Sequence, residues 1–293
     1  MRRAIETGCV AAILMYGVVV SLSSRDARSA PAKPKGGKGA AGEVVTLSAS
    51  SLAALKSDDL AVVRTALDDV RLAGTKGAPA VPQIVELLRT GLPYPLAEAA
   101  IDTLADVESP EVQAFVPYVS HRDPKVRRAA VRALSKATAP ASVPLAVSEL
   151  QRALSDPDSN VRATAALGLG SLKARGSVPD LFLALDHHVY EAAASIGQLC
   201  GAAECDALMG RLGKVPFDVL TTGVDQILFR PVAEVSDDVK VSIIDKVRDV
   251  GTGDANRFLR GVQGRWPKNG SVRVKRELDA AVLATLASPG AGS

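Results

Sequence analysis

A repeat runs through the middle of this 293-residue chain, and it restricts the fold more than any other feature. A shift of 35 residues lays Val126-Arg127 on Val161-Arg162 and, without a gap, Ser142-Val143-Pro144 on Ser177-Val178-Pro179. A shift of 27 lays Leu169–Val178 on Ile196–Cys205. Stepping back by 31, Val143 meets Val112 and then Val81, and Val63-Arg64 opens the earliest copy. Five copies cover residues 57–213. Self-similarity at such a period implies stacked supersecondary units, each burying its apolar face against its neighbours.

Each copy reads as two helices. The first carries Val-Arg-x-x-Ala-Ala/Val-x-x-Leu, as in residues 126–134 and 161–169, with apolar residues at helical spacing and small residues that let helices approach. Asp123-Pro124 and Asp156-Pro157 supply an N-cap acceptor followed by proline in the first turn. The second helix opens at Val81-Pro82, Val143-Pro144 and Val178-Pro179.

The pattern Asp-Pro…Val-Arg-x-x-Ala…Leu-Gly…Val-Pro resembles HEAT repeats, in the short bacterial form also seen in phycobilisome lyase-type proteins. The match is specific in copies three and four (123–185), fair in copies one and five, and poor in copy two, which starts at Leu92-Pro-Tyr-Pro95 without the Val-Arg pair. The resemblance implies an all-α chain, a right-handed α-solenoid of HEAT-like helical hairpins over 49–213, and a protein partner. Residues 214–293 continue with helical spacing at Phe217, Leu220, Val224, Ile227 and Leu228, then Val239, Ile243, Ile244 and Val247. A last helix runs from Ser271 through Leu278, Ala281, Val282 and Leu286. Two degenerate repeats here would close the open end of the stack.

The N-terminus differs. Arg2 and Arg3 precede an uncharged stretch from Thr7 to Ser24, the pattern of an export signal. Residues 1–30 are therefore expected to be a signal peptide or a membrane anchor, with 7–24 as the tether. Residues 31–48, rich in Pro, Gly and Lys, are expected to act as a flexible linker. The body would then lie in the periplasm or cell envelope. The formal charge of +3 belongs to this end: residues 43–293 hold 28 Lys and Arg against 30 Asp and Glu. A nearly neutral body with only ten aromatic residues argues against nucleic acid as a partner.

Reactive frames are scarce. The histidines, His121, His187 and His188, form no zinc-ligand spacing, and no Gly-x-Ser-x-Gly elbow or phosphate loop occurs. HEAT-like folds include a di-iron deoxyhypusine hydroxylase with repeated His-Glu ligands, but this chain has no His-Glu dipeptide. No catalytic residue, metal or cofactor is expected, and the reading is a non-catalytic scaffold. The alternative, implied by the resemblance, is a chromophore- or cofactor-handling lyase.

Two features remain. Cys200 and Cys205 flank a four-residue turn, at the places of Lys173 and Val178 in copy four. Either they form a disulfide, or Cys205 takes the small core place of Val178 while Cys200 stays free. Between Arg257 and Arg276 lie seven cations and no acid, around the single Trp266. Arg257, Arg260, Arg265, Trp266, Lys268 and Arg273 are the expected partner surface, because Trp and Arg often carry interface energy. The competing arrangement folds Trp266 onto the terminal cap and leaves the cations solvated.

Overall fold

The computed structural model describes residues 47–107 and 112–287. The chain divides into two units, Met1–Glu43 and Val44–Ser293, and every described residue belongs to the second. The expected leader or anchor, its tether segment 7–24, and all but the last two residues of the linker lie outside the described residues. Among the described residues no helix is long and apolar enough to cross a membrane.

The described residues form an α-solenoid without a strand; one isolated bridge joins Leu212 and Val215. A short α1 (Ala49–Ala54) precedes the first pair, α2 (Leu60–Leu72) and α3 (Val81–Thr90). Copy two has α4 (Tyr94–Asp106) but, among the described residues, no second α-helix. Its place is taken by 3-10 turns at Val112–Ala114 and Val116–Ser120. The expectation of two helices per copy fails here not at Pro117, since Val-Pro also opens α3, but because the Asp123 cap of the next helix leaves too little chain after Val116 for another α-helix.

Regular pairs follow: α5 (Pro124–Leu134) with α6 (Val143–Ala153), α7 (Ser159–Ser171) with α8 (Val178–Asp186), and α9 (Ala192–Leu199) with α10 (Ala202–Met209). The C-terminal part adds α11 (Phe217–Phe229), α12 (Asp237–Asp249), α13 (Gly253–Arg265) and α14 (Val272–Ala287). First helices stack on first helices, α2 on α4, α5, α7, α9 and α11 in turn, while α12 packs on α14. The repeated frame becomes the core: Val126, Ala130 and Leu134, like Val161, Ala165 and Leu169, are fully buried. Burying each such valine or leucine contributes about 1.5–3 kcal/mol over leaving it in water.

The tightest approach joins α9 and α11. A Cβ on Gly197 would stand 2.1 Å from the Gly223 carbonyl oxygen, and one on Gly223 would stand 2.4 Å from that of Ala193. Only glycine lets these two backbones meet.

Capping follows the sequence in one place and departs from it in another. Asp123 caps α5, accepting from the Lys125 N–H at 2.9 Å. Asp156-Pro157 does not cap α7. That helix is capped by Asp158, which accepts from Asn160 and Val161. The shift of 35 that aligns Val126 with Val161 also maps Asp123 onto Asp158, so Asp156 is left for another partner. Arg127 takes it, with Nε and Nη2 each donating to the carboxylate at 2.8 Å and Nη1 donating to the His121 carbonyl at 3.0 Å. Arg162 reaches back in the same way to the carbonyls of Asp156 and Pro157. Arg127 and Arg162 thus satisfy carbonyls ahead of their own helices, whereas Arg64 of the first Val-Arg pair meets Asp68 on its own helix, and Arg127 also staples one repeat to the next.

Candidate functional site

The run of cations is not a one-signed patch. Arg257 and Arg265 lie on α13, Trp266 ends that helix, and Arg273 and Lys275 lie on α14. Arg257 pairs with Asp254 at 2.8 Å, and Arg265 with Asp225 of α11 at 2.5 Å. Arg273 pairs with Asp238 of α12 at 2.6 Å, and Lys275 with Asp279 at 2.8 Å. All four acids lie outside residues 257–276, which is why the stretch looks unopposed in sequence. Arg260, Lys268 and Arg276 are exposed.

Trp266 is half-buried and packs on the core. Its ring lies 5.8 Å from that of Phe229, and the Arg265 guanidinium lies 5.0 Å from the centre of Phe229. Trp266 is thus partly core and partly surface, so neither arrangement expected from the sequence describes it alone. The Gly270 N–H closes the following turn on the Pro267 carbonyl at 2.9 Å.

Beside this cluster lies a cleft of about 470 Å³, lined by Phe229, Arg230, Val232, Asp237, Lys240 and Trp266 among others. Of these six, only Trp266 stands out in the sequence. Phe229 and Val232 are exposed at 37% and 62%, a large apolar surface for a loop junction. Arg230 and Lys240 are nearly closed off, at 9% and 5%.

Arg230 caps the C-terminus of α11 and faces the turn between α9 and α10. Its Nη1 donates to the Cys200 carbonyl at 2.8 Å, and its Nε pairs with Glu234 at 3.2 Å. Lys240 Nζ in turn donates to the Arg230 carbonyl. Burial pushes the Lys240 ammonium down from the usual lysine range, with nearby Asp237 opposing that shift. Asp237 accepts from the Ser271 hydroxyl through one oxygen at 2.5 Å. Three buried atoms around the cleft have no partner: Arg230 Nη2, Trp266 Nε1 and Asp237 Oδ1. Such atoms forfeit their hydrogen bonds to water and gain none in return.

A signal for Lys240 was present in the sequence. The buried stripe of α12 is Lys240, Ile243, Ile244 and Val247, whereas Val239, placed in the stripe by the sequence reading, is half-buried. A lysine at a core position of a helical stripe marks an unusual environment.

Cys200 and Cys205 are joined as a disulfide with Cα atoms 5.3 Å apart, and both are fully buried. Cys200 ends α9 and presents the carbonyl that Arg230 holds. The bonded arrangement is the one found and Cys200 is not free, although Cys205 is buried as its core place required. His187 and His188 are exposed at the end of α8.

Residues 81–148, from α3 into α6, match the family model for HEAT repeats. No curated protein matches the chain. Among solved structures, the complex of CpcE and CpcF of phycocyanin lyase from Nostoc sp. PCC7120 is 18% identical, with 79% of this chain and 93% of that chain covered and a TM-score of 0.46. A designed armadillo repeat protein is 18% identical over 83% of this chain and 100% of that chain, with a TM-score of 0.41. Human deoxyhypusine hydroxylase is 16% identical over 81% of this chain and 95% of that chain, with a TM-score of 0.36. The match to HEAT repeats covers residues 81–148, and a stack of such repeats offers a long continuous surface suited to protein–protein interaction.

Proposed function

We propose that this HEAT-repeat chain is a non-catalytic scaffold, exported to the cell envelope, that holds a protein partner at the C-terminal end of its stack. The observation that carries the reading is the apolar rim of Phe229, Val232 and Trp266 around buried donors without partners. Covering the rim removes apolar surface from water, and the idle donors add direction to that gain. Arg265 stiffens the rim through Asp225, while Arg257, Arg260, Lys268 and Arg273 flank it on α13, the following turn and α14. The basic start and the uncharged stretch 7–24 support export, as does the cysteine pair, since such bonds persist outside the cytoplasm.

The test is in-cell photocrosslinking with a photoreactive amino acid in place of Val232, followed by mass spectrometry. A single dominant partner from that position, and none from the same amino acid at Thr138, supports the reading. No adduct from Val232, Phe229 or Lys268 overturns it. For export, a reporter active only outside the cytoplasm is fused at residue 45. It should work, and should fail when residues 1–24 are deleted; equal activity in both overturns export.

A further inference from the structure

We infer that the C-terminal cleft recognises an acidic side chain of its partner, an aspartate or glutamate set beside an apolar residue, with Lys240 and Arg230 as the anion-binding groups. The inference rests on the protein-binding reading and names the chemistry of the segment bound.

Charge comes first. Lys240 is 5% exposed, and among the described residues no carboxylate lies within salt-bridge distance of its ammonium; its bond goes to the Arg230 carbonyl. Buried cations are ordinarily paired. Arg230 spends Nε on Glu234 and Nη1 on the Cys200 and Gly197 carbonyls, which leaves Nη2 idle. Trp266 Nε1 is a third donor without an acceptor. A cleft with this many unused N–H groups asks for a ligand rich in acceptors, and two of the donors are cationic.

The single unpartnered acceptor narrows the choice. Asp237 Oδ1 lies in the same cleft wall, and Asp237 is held by Ser271 through its other oxygen. A doubly charged phosphate would meet about twice the repulsion from that carboxylate that a singly charged side chain meets. A singly charged acidic side chain in a peptide brings a backbone N–H as well, and that N–H can donate to Asp237. The exposed Phe229 and Val232 then receive the neighbouring apolar side chain. Every idle group acquires a complement from one short peptide segment.

Trp266 is the only tryptophan in the chain, so its fluorescence reports on the cleft without a label. The full chain is titrated with the capped peptide acetyl-Leu-Glu-Leu-amide and with its glutamine analogue. The glutamate peptide should change the emission saturably at about 1 mM or below, and the analogue should bind roughly tenfold weaker or worse. Lys240→Met should weaken the glutamate peptide by a similar factor with helicity unchanged. Should that variant misfold, Trp266→Phe removes one donor, and calorimetry should read a loss of about threefold or more. Equal binding of the two peptides, no saturable change, or a response confined to phosphatidylglycerol vesicles overturns acidic side-chain recognition. A partner crosslinked from Val232 would stand through all of these results, so the two readings fail separately.

Discussion

Replacing Arg127 with methionine tests whether the repeats are stapled to each other by charge. The Arg127 and Asp156 side chains are only 12% and 9% exposed, and the pair is bidentate. Methionine preserves much of the packed stem but removes every donor. Asp156 is then left with the Asp158 N–H as its remaining partner, and the His121 carbonyl loses its bond. Breaking a buried pair from one side costs about 3–5 kcal/mol, against about 0–1 kcal/mol for an exposed one. The tenth or so of exposure places this pair near the lower end of the first range, at about 3 kcal/mol. For a body of this size that corresponds to a drop in melting temperature of about 6–12 °C. Melting followed by far-UV circular dichroism reads it directly. Adding Asp156→Leu removes the stranded carboxylate, and the double variant should recover at least half of the loss. A fall of less than about 1 kcal/mol in Arg127→Met, or a double variant that loses the sum of the singles, would refute the staple.

Gly197→Ala sets helix propensity against packing. Propensity favours alanine by about 1 kcal/mol, but a Cβ 2.1 Å from a backbone oxygen forces α9 and α11 apart. Overpacking at about 1–3 kcal/mol or more wins, so urea denaturation should show lower stability; a gain would mean that the contact is loose. Cys200→Ala with Cys205→Ala should cost about 2 kcal/mol, the loop entropy of so short a closure, and the unreduced, unfolded parent should show no free thiol at either position. Full labelling of both would refute the bond.

Acid should destabilise the stack. Burial opposes ionisation of Asp156 and Asp106, but Arg127 in the first case, and Lys136 and Arg71 in the second, hold both carboxyls below the ordinary aspartate range. Folded values below unfolded ones give stability that is present above about pH 4 and is lost as pH falls through the folded values. Asp156→Asn should flatten that acid slope; an unchanged slope would assign the loss to other carboxylates.

The repeat was legible because a solenoid is a nearest-neighbour structure. Val-Arg, the alanine positions and Val-Pro recur at spacings that one unit and its neighbour dictate, so helix pairs, buried stripes and the shared turn of Cys200 and Cys205 could be read along the chain. Where a local element departed, the reason was also local but easily misassigned. The Asp123 cap left copy two too little chain after Val116 for a second α-helix, and two acids lay close enough to α7 for Asp156 to be mistaken for the cap that Asp158 supplies. The candidate site was read only in part. Trp266 stood out as a residue type, but its cations met acids from up to 40 positions away, as Arg265 does with Asp225. No window along the sequence contains that pairing. Lys240 carries the same lesson: its place in the stripe of α12 is written in the sequence, but that no carboxylate among the described residues reaches its ammonium depends on where α11 ends and α14 begins. Periodicity is a property of one strip of chain, so sequence determines it. Charge balance and desolvation are properties of a volume, and only the packed helices decide what shares it.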